Sequence, residues 1–282
     1  MGLDAEQLAS RHLFLGASEI AAVAGLSPWK TAHDVWLEKM QLADEWSSHA
    51  TRIGNLVEPI LLQMYCEDTG AEVAHFGSIV HPRHPWMSAT PDFAVADSRR
   101  LGEIKMVGWR SAHHWTQQAD GVPDYYRPQA EWQMDVCGAD EVDVVALIGG
   151  TDFRIYTVKR DPELAGMLVA IGEKFWRDHV IARVPPPVDG SDSARKMLDK
   201  LFPRHMTNLR PPTPDVEGLV SKLVDARAEL VAAEERRAKL ENQICQAIGD
   251  GEGFATKEWK TTWKADKNGK KSFRFKPKGE AA

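Results

Sequence analysis

Apolar residues recur three and four positions apart from Ile53 through Leu56, Val57, Ile60, Leu61 and Met64, which predicts an amphipathic helix with Glu58 on the flank of its stripe. Upstream, Ser18 to about Ala24 reads as a short helix, a Gly-Leu-Ser-Pro turn follows, and Thr31 is placed to cap a second helix. The period then changes. The runs AEVAHFGSIV, PWMSATPDFAVA and LGEIKMV are short and bounded by turn residues, as strands are. A helix is predicted from near Pro128, a tolerated first-turn proline, to Gly138. EVDVVALIGG and DFRIYTVKR predict a β-hairpin, and Pro162 opens a long helix to about Ala182.

The C-terminal third is organised differently. VPPPVDGSDS and FPRHMTNLRPPTPD are proline-rich and predict a connection over 186–214, after a core over 1–185. Residues 215–249 predict one long amphipathic helix whose apolar residues fall at near-heptad spacing. Arg237 interrupts the seam, which makes the helix a mediocre coiled-coil candidate, and its nearly balanced charges favour packing on its own domain or on a neighbouring subunit over binding DNA. The tail, 250–282, alternates Trp259, Trp263, Phe273 and Phe275 with lysines. That pattern fits a strand pair that tracks phosphate and stacks on bases, or a two-stranded flap with a solvated lysine face.

Composition narrows the class. A chain of 282 residues with 43% hydrophobic residues can build a real core. Cys66, Cys137 and Cys245 are far apart and lack a CxxC pair, which argues against a disulfide framework, a zinc knuckle or an iron–sulfur cluster, and predicts buried thiols in a reducing compartment. The start lacks the basic and apolar stretches of a secretion signal, and no apolar run approaches the roughly 18 residues of a membrane span. A cytoplasmic protein without a membrane partner is expected. The net charge is −6, but from Gly251 onward nine Lys/Arg face four Asp/Glu, so the tail carries +5 and the remainder −11. Overall acidity therefore does not exclude a nucleic-acid partner.

The chemistry concentrates in TPDFAVADSRRLGEIK. Asp92 and Glu103 fall on successive strand-like runs that a hairpin sets side by side, and the two-residue period puts Glu103 and Lys105 on one face with Ile104 on the other. Two carboxylates about 4 Å apart repel by roughly 4 kcal/mol at an effective dielectric near 20, so one is protonated or a cation lies between them. All-oxygen ligands favour Mg²⁺, with Mn²⁺ as a substitute, over zinc. Such a site suits phosphodiester hydrolysis, with Lys105 orienting water or stabilising developing charge and Glu58 completing a metal position or acting as base. The bland alternative makes Asp92 a turn cap, Glu103 and Lys105 an exposed cross-strand pair, and Glu58 a solvated residue. The spacing of His81 and His84 around Pro82 is a poor metal-ligand pattern. The tryptophans, Trp29, Trp36, Trp86, Trp109, Trp115 and Trp132 among them, are expected mostly in the core or at an interface.

These residues resemble the PD-(D/E)xK nuclease motif, and their surroundings resemble the YqaJ-like viral recombinase branch, relatives of lambda exonuclease. The resemblance spans Arg11 to about Lys159. RHLFLGASEIAAVAGLSPWKT is similar to the family's N-terminal block, RIGNLVEPIL to its G-x-x-x-E helix, and YYRPQAEWQMDVCG to its tyrosine-glutamine helix, with Gln129 at the first glutamine. Two departures stand out: Glu131 in place of a second glutamine, and Gly102 in place of an apolar residue.

The resemblance implies an α/β fold, a restriction-endonuclease-like core with a mixed central β-sheet flanked by helices, followed by the helical and basic C-terminal extension. It implies that Asp92, Glu103 and the Ile104 carbonyl bind metal, that Glu58 and Lys105 assist hydrolysis, and that Gln129 positions water or a ligand. It further implies that Arg11, Ser18 and Thr90 hold the terminal 5′ phosphate of DNA, where a guanidinium fork and hydroxyls suit the several acceptors. The activity implied is a Mg²⁺-dependent exonuclease that digests one strand of double-stranded DNA ends, 5′ to 3′, alongside a single-strand annealing protein and as a homo-oligomer such as a trimeric ring. An endonuclease or single-strand nuclease on the same core, and a non-catalytic DNA-binding or scaffold protein, are the alternatives.

Overall fold

The β-like runs between Val73 and Lys159 build one mixed sheet, and its register decides where the acidic residues meet. The computed structural model describes residues 10–44, 49–116, 121–204, 207 and 209–277. The chain divides into two compact units, Met1–His205 and Met206–Ala282.

In chain order the first unit contains β1 (Leu15–Gly16), α1 (Ala17–Val23), α2 (Ala32–Lys39), α3 (His49–Thr69), β2 (Val73–Ala74), β3 (Ile79–Val80), β4 (Met87–Ala89), β5 (Phe93–Val95), β6 (Arg100–Val107), α4 (Arg127–Cys137), β7 (Glu141–Ile148), β8 (Asp152–Lys159), α5 (Pro162–Phe175) and α6 (Asp192–Leu201). The central sheet has the order β2-β5-β6-β7-β8. Only β6 and β7 run parallel, and their connection carries α4 across one face. The other neighbours are antiparallel. A small second sheet, β1-β4-β3, joins the N-terminal segment to the middle of the chain.

Alternation along β6 sends its side chains to two cores. Leu101 and Val107 join Val142, Val144 and Ala146 of β7 beneath Ala130 and Met134 of α4. Ile104 faces the other side, with Leu61 and Tyr65 of α3, Phe93 and Val145. A third cluster gathers α1, α2, α4 and α5 around Leu15, Ile20, Trp36, Trp132 and Leu168.

Local signals end the elements where the sequence predicts. Thr31 caps α2 and closes a capping box with Asp34. Gly138 ends α4 at φ 68°, the left-handed region that glycine adopts without penalty. Asp161 accepts from Glu163 N–H and Leu164 N–H to start α5, which continues through a π-helical turn, Trp176–Ile181.

The stretch 186–214, expected as a connection, contains α6. Its Ala194 and Met197 are buried, and Ser193 Oγ donates to Asp34 Oδ2 at 2.7 Å, so the helix belongs to the first unit. The cysteines are half-buried rather than buried. No helix among the described residues is long and apolar enough to cross a membrane.

The second unit contains α7 (Pro214–Ile248), β9 (Gly253–Ala255), β10 (Trp259–Ala265) and β11 (Lys271–Pro277). The tail is thus three antiparallel strands in the order β11-β10-β9, rather than a pair.

Candidate active site

β5 pairs with β6 at Phe93–Gly102 and Ala94–Leu101, and one step further along this register Asp92 stands opposite Glu103. Asp92 N–H donates to the Gly102 carbonyl at 3.0 Å. Its Oδ2 accepts from Ile104 N–H at 2.6 Å, so the carboxylate takes the place of a strand partner where β5 has ended. Close approach of the two strands depends on Gly102. A Cβ there would lie 1.9 Å from Phe93 Cζ, so the departure from an apolar residue makes room for that ring.

Glu103 is 7% exposed and is held on both oxygens. Oε1 accepts from Lys105 Nζ at 2.5 Å and Gln129 Nε2 at 2.7 Å, and Oε2 accepts from Gln133 Nε2 at 2.6 Å. Lys105 Nζ also donates to Gln129 Oε1 at 3.0 Å and lies 5.0 Å from the centre of the Tyr126 ring. Glu103 is therefore buried under α4 with the half-buried Lys105 against it, and the exposed-pair alternative does not hold.

Gln133 has no counterpart in the sequence prediction. It sits one helical turn after Gln129 on the same face of α4, fully buried, whereas Glu131, named there as standing in for a second glutamine, turns away and accepts from Asp161 N–H at 2.9 Å. The 3.6-residue period was the available signal, since positions four apart face one way.

A cleft of about 190 Å³ opens between α3 and the uncovered edge of β6. Asp92, Glu103 and Ile104 line it, with Gly54, Asn55 and Glu58 from α3 on the facing wall. Pro59, inside α3, provides no N–H for the Asn55 carbonyl one turn back. Among the described residues no three His, Cys, Asp or Glu side chains form a metal-holding group. The donors that line the cleft are the carboxylates of Asp92 and Glu103, that of Glu58 on the opposite wall, and the backbone at Ile104. This set fits Mg²⁺, which keeps several waters and takes one or two carboxylates.

Electrostatics point the same way. Burial pushes the Asp92 carboxyl up to about 7, and the charge of Glu103 adds to the effect, against the lowering by the Ile104 N–H. Burial works against the Lys105 ammonium, but the charge and hydrogen bond of Glu103 outweigh it and hold the lysine above its usual range. One ammonium serves two carboxylates, leaving the cluster one negative charge in excess when Asp92 ionises.

A second polar cluster surrounds the start of α1. Arg11 Nη2 donates to Ser18 Oγ at 3.0 Å, and Arg11 Nε lies 3.4 Å from Glu19 Oε1. Glu19, fully buried, pairs with Lys39 Nζ at 2.6 Å and accepts from Gly16 N–H at 2.8 Å. Burial alone would raise the Glu19 carboxyl; Lys39, Lys30 and Arg11 together outweigh it and hold the carboxyl below its usual range. The parallel pairing of Gly16 with Ser88 places Ser18 and Thr90 each two residues beyond the same rung. Thr90 Oγ1 shares a hydrogen bond with Ser78 Oγ at 2.6 Å.

Trp29 is 63% exposed and stands edge-on to Tyr125 at 4.9 Å, with Tyr126 at 5.8 Å, so an aromatic surface runs from the solvent to the ring beside Lys105. Trp36, Trp115 and Trp132 are buried and Trp109 is exposed. His81 is engaged structurally: Nδ1 accepts the N–H groups of Arg83 and His84 at 3.0 Å, and Nε2 lies 3.5 Å from Asp135.

The chain is 25% identical over 265 residues to the uncharacterized protein YqaJ of Bacillus subtilis (strain 168), covering 92% of this chain and 82% of the relative. The structure of LHK-Exo in complex with dAMP superposes with a TM-score of 0.55 at 24% identity, covering 64% of this chain and 94% of that one. A second structure of LHK-Exo, an alkaline exonuclease from Laribacter hongkongensis, gives 0.53 at 23% identity, over 70% of this chain and 100% of that one. The mixed α/β core is the fold of these proteins. Residues 6–140 match the model of the YqaJ-like viral recombinase domain family, over the stretch that holds Arg11, Glu58, Asp92, Glu103, Lys105 and Gln129.

Proposed function

We propose that this chain is a metal-dependent deoxyribonuclease of the exonuclease type, shortening one strand of linear duplex DNA from its 5′ end and leaving a 3′ overhang for a single-strand annealing protein. The observation that carries the reading is the pair Asp92 and Glu103 lining a cleft whose far wall bears Glu58, with Lys105 held against Glu103. Asp92, Glu103 and the Ile104 carbonyl would hold Mg²⁺ or Mn²⁺, with Glu58 beside them. Bound there, the ion supplies polarisation of a phosphodiester oxygen and acidification of a water.

The remaining work falls to the chain itself. Lys105, fixed by Glu103 and Gln129, presents a permanent positive charge to a phosphate in the cleft and stabilises charge that develops on it. Gln129 and Gln133 lock Glu103 in one rotamer, so its oxygens are pre-set rather than ordered during reaction. Arg11, Ser18 and Thr90 receive the terminal 5′ phosphate, and Trp29 with Tyr125 offers bases a stacking face. The protein acts in the cytoplasm, and a homo-oligomeric ring of three chains would keep it on its duplex.

The test is a linear duplex labelled at either end, with and without a 5′ phosphate, incubated with Mg²⁺ or Mn²⁺. Release of 5′-end label first, faster from phosphorylated ends and abolished by Asp92→Asn, is the expected result. Cleavage of closed circles would instead indicate an endonuclease. Absence of any release with either metal would leave a DNA-binding or scaffold role.

A further inference from the structure

The 35-residue helix α7 buries one residue, Ile248. The rest of its apolar face is open, with Leu219 64% and Leu230 59% exposed. Read in heptads from Val216, one row runs through Leu223, Leu230, Arg237 and Ile244, and the other through Leu219, Ala226, Ala233 and Leu240. At its C-terminal end the same face forms one wall of an apolar groove of about 310 Å³. Leu240, Ile244 and Ala247 line the helix side, and Phe254, Trp259 and Phe275 of the β-strands line the other.

We infer that the occupant of this face is a second copy of α7, running antiparallel about a two-fold axis near the middle of the helix. The flanking charges choose the direction. In a parallel, in-register pair Lys222 meets the partner's Arg227 and Glu229 meets the partner's Glu234, each twice, and only Arg236 with Glu241 attracts. In the antiparallel pair Arg227 meets the partner's Glu234 and Glu229 meets the partner's Arg236, each twice by symmetry.

Side-chain size agrees with this alignment. Leu219 falls opposite the partner's Ile244, Leu223 opposite Leu240 and Leu230 opposite Ala233, while Arg237 faces the small Ala226 and keeps its own Glu241 at 3.6 Å. The same alignment lays Val216 and Leu219 of one copy into the groove that the other builds from Ile244, Ala247 and the strand aromatics. An exposed apolar patch of this length is a docking surface rather than a solvated face.

Directional cross-linking tests the pairing on the full chain, with Cys66, Cys137 and Cys245 replaced by serine and helicity checked by circular dichroism. One preparation carries Leu223→Cys and a second, tagged for size, carries Leu240→Cys. Mixing, equilibrating and oxidising them should give the mixed disulfide, with little product from either alone. Disulfides within each single preparation would establish a parallel pair, and absence of product with helicity intact would mean that something other than a second copy covers the face; either outcome overturns the inference.

Light scattering at micromolar concentration supplies the independent check. Arg227→Glu with Arg236→Glu should halve the mass, from paired chains, or paired three-chain rings, to unpaired ones, and adding Glu229→Arg with Glu234→Arg should restore it. A mass unaffected by the first pair overturns the inference, whereas restoration by the second shows that charge, not misfolding, caused the loss.

Discussion

Two buried carboxylate clusters in the first unit differ in the sign of the charge they leave over. Around Glu19, two cations, Lys39 at 2.6 Å and Arg11 at 3.4 Å, face one acid. Around Glu103, one cation, Lys105, faces two acids. The first cluster has positive charge to spare, directed through Arg11 at Ser18, and suits an anion such as a terminal phosphate. The second has negative charge to spare and suits a cation. The carboxyl of Glu19 is accordingly driven down and that of Asp92 up. Burial opposes ionisation in both, so the balance of partners decides the direction.

This contrast is sharpest under substitution. Asp92→Asn should lower nuclease activity by about a thousandfold or more, because the metal loses a charged ligand, yet raise the melting temperature of the metal-free protein at pH 8, because it removes a charge in excess. Thermal melts in chelator beside label-release rates give both readouts. Loss of stability in Asp92→Asn would mean that the cluster is balanced already.

Glu19→Gln should do the reverse. It strands Lys39, which is almost fully enclosed, and should cost about 3–5 kcal/mol in denaturant unfolding.

The next effect is one of pH. Asp92 titrates near 7 in the folded metal-free protein, above its unfolded value of 3.8. Its contribution to stability is therefore full below about pH 4 and is lost as pH rises through 7. The change is on the order of 2–4 kcal/mol, given partial screening of so large a shift. Melting temperature in chelator should fall across that window, and Mn²⁺ should restore more at pH 8 than at pH 6, since metal and proton compete for one oxygen. Melts in which Mn²⁺ gives the same increment at both values would place the metal elsewhere.

The smallest effect is expected at the cationic cluster. Arg11→Ala should reduce the preference for 5′-phosphorylated over 5′-hydroxyl ends by about tenfold, the worth of a charge-assisted hydrogen bond. Rates on the two end types measure it directly.

What the sequence made legible follows from how local each signal is. Asp92, Glu103 and Lys105 sit on two adjacent strands, so a period of two and a hairpin suffice to bring them together. Thr31, Gly138 and Pro162 mark helix ends by chemistry that acts over a few residues. Lys39 gave no such signal, because a lysine late in a short helix reads as a solvated cation until the packing of α1 on α2 sets it against Glu19. The helix α6 lay between two proline-rich stretches that read together as one connection, although Ala194, Met197, Leu198 and Leu201 follow the three-and-four spacing of an amphipathic helix. Gln133 was half within reach of the sequence: it stands four positions after Gln129, so the helical period puts both on one face, and the packing of α4 on β6 sets that face against Glu103.

The contact between Gly102 and Phe93 carries a consequence for variation in this chain. Even a methyl group at 102 would prise β5 from β6, and the oxygens of Asp92 and Glu103 would separate with every charge still in place. Among randomised variants selected for cleavage, alanine at 102 should survive only in company with a smaller residue at 93. The spacing of the two carboxylates is thus set by an uncharged ring at 93 and by the lack of any side chain at 102.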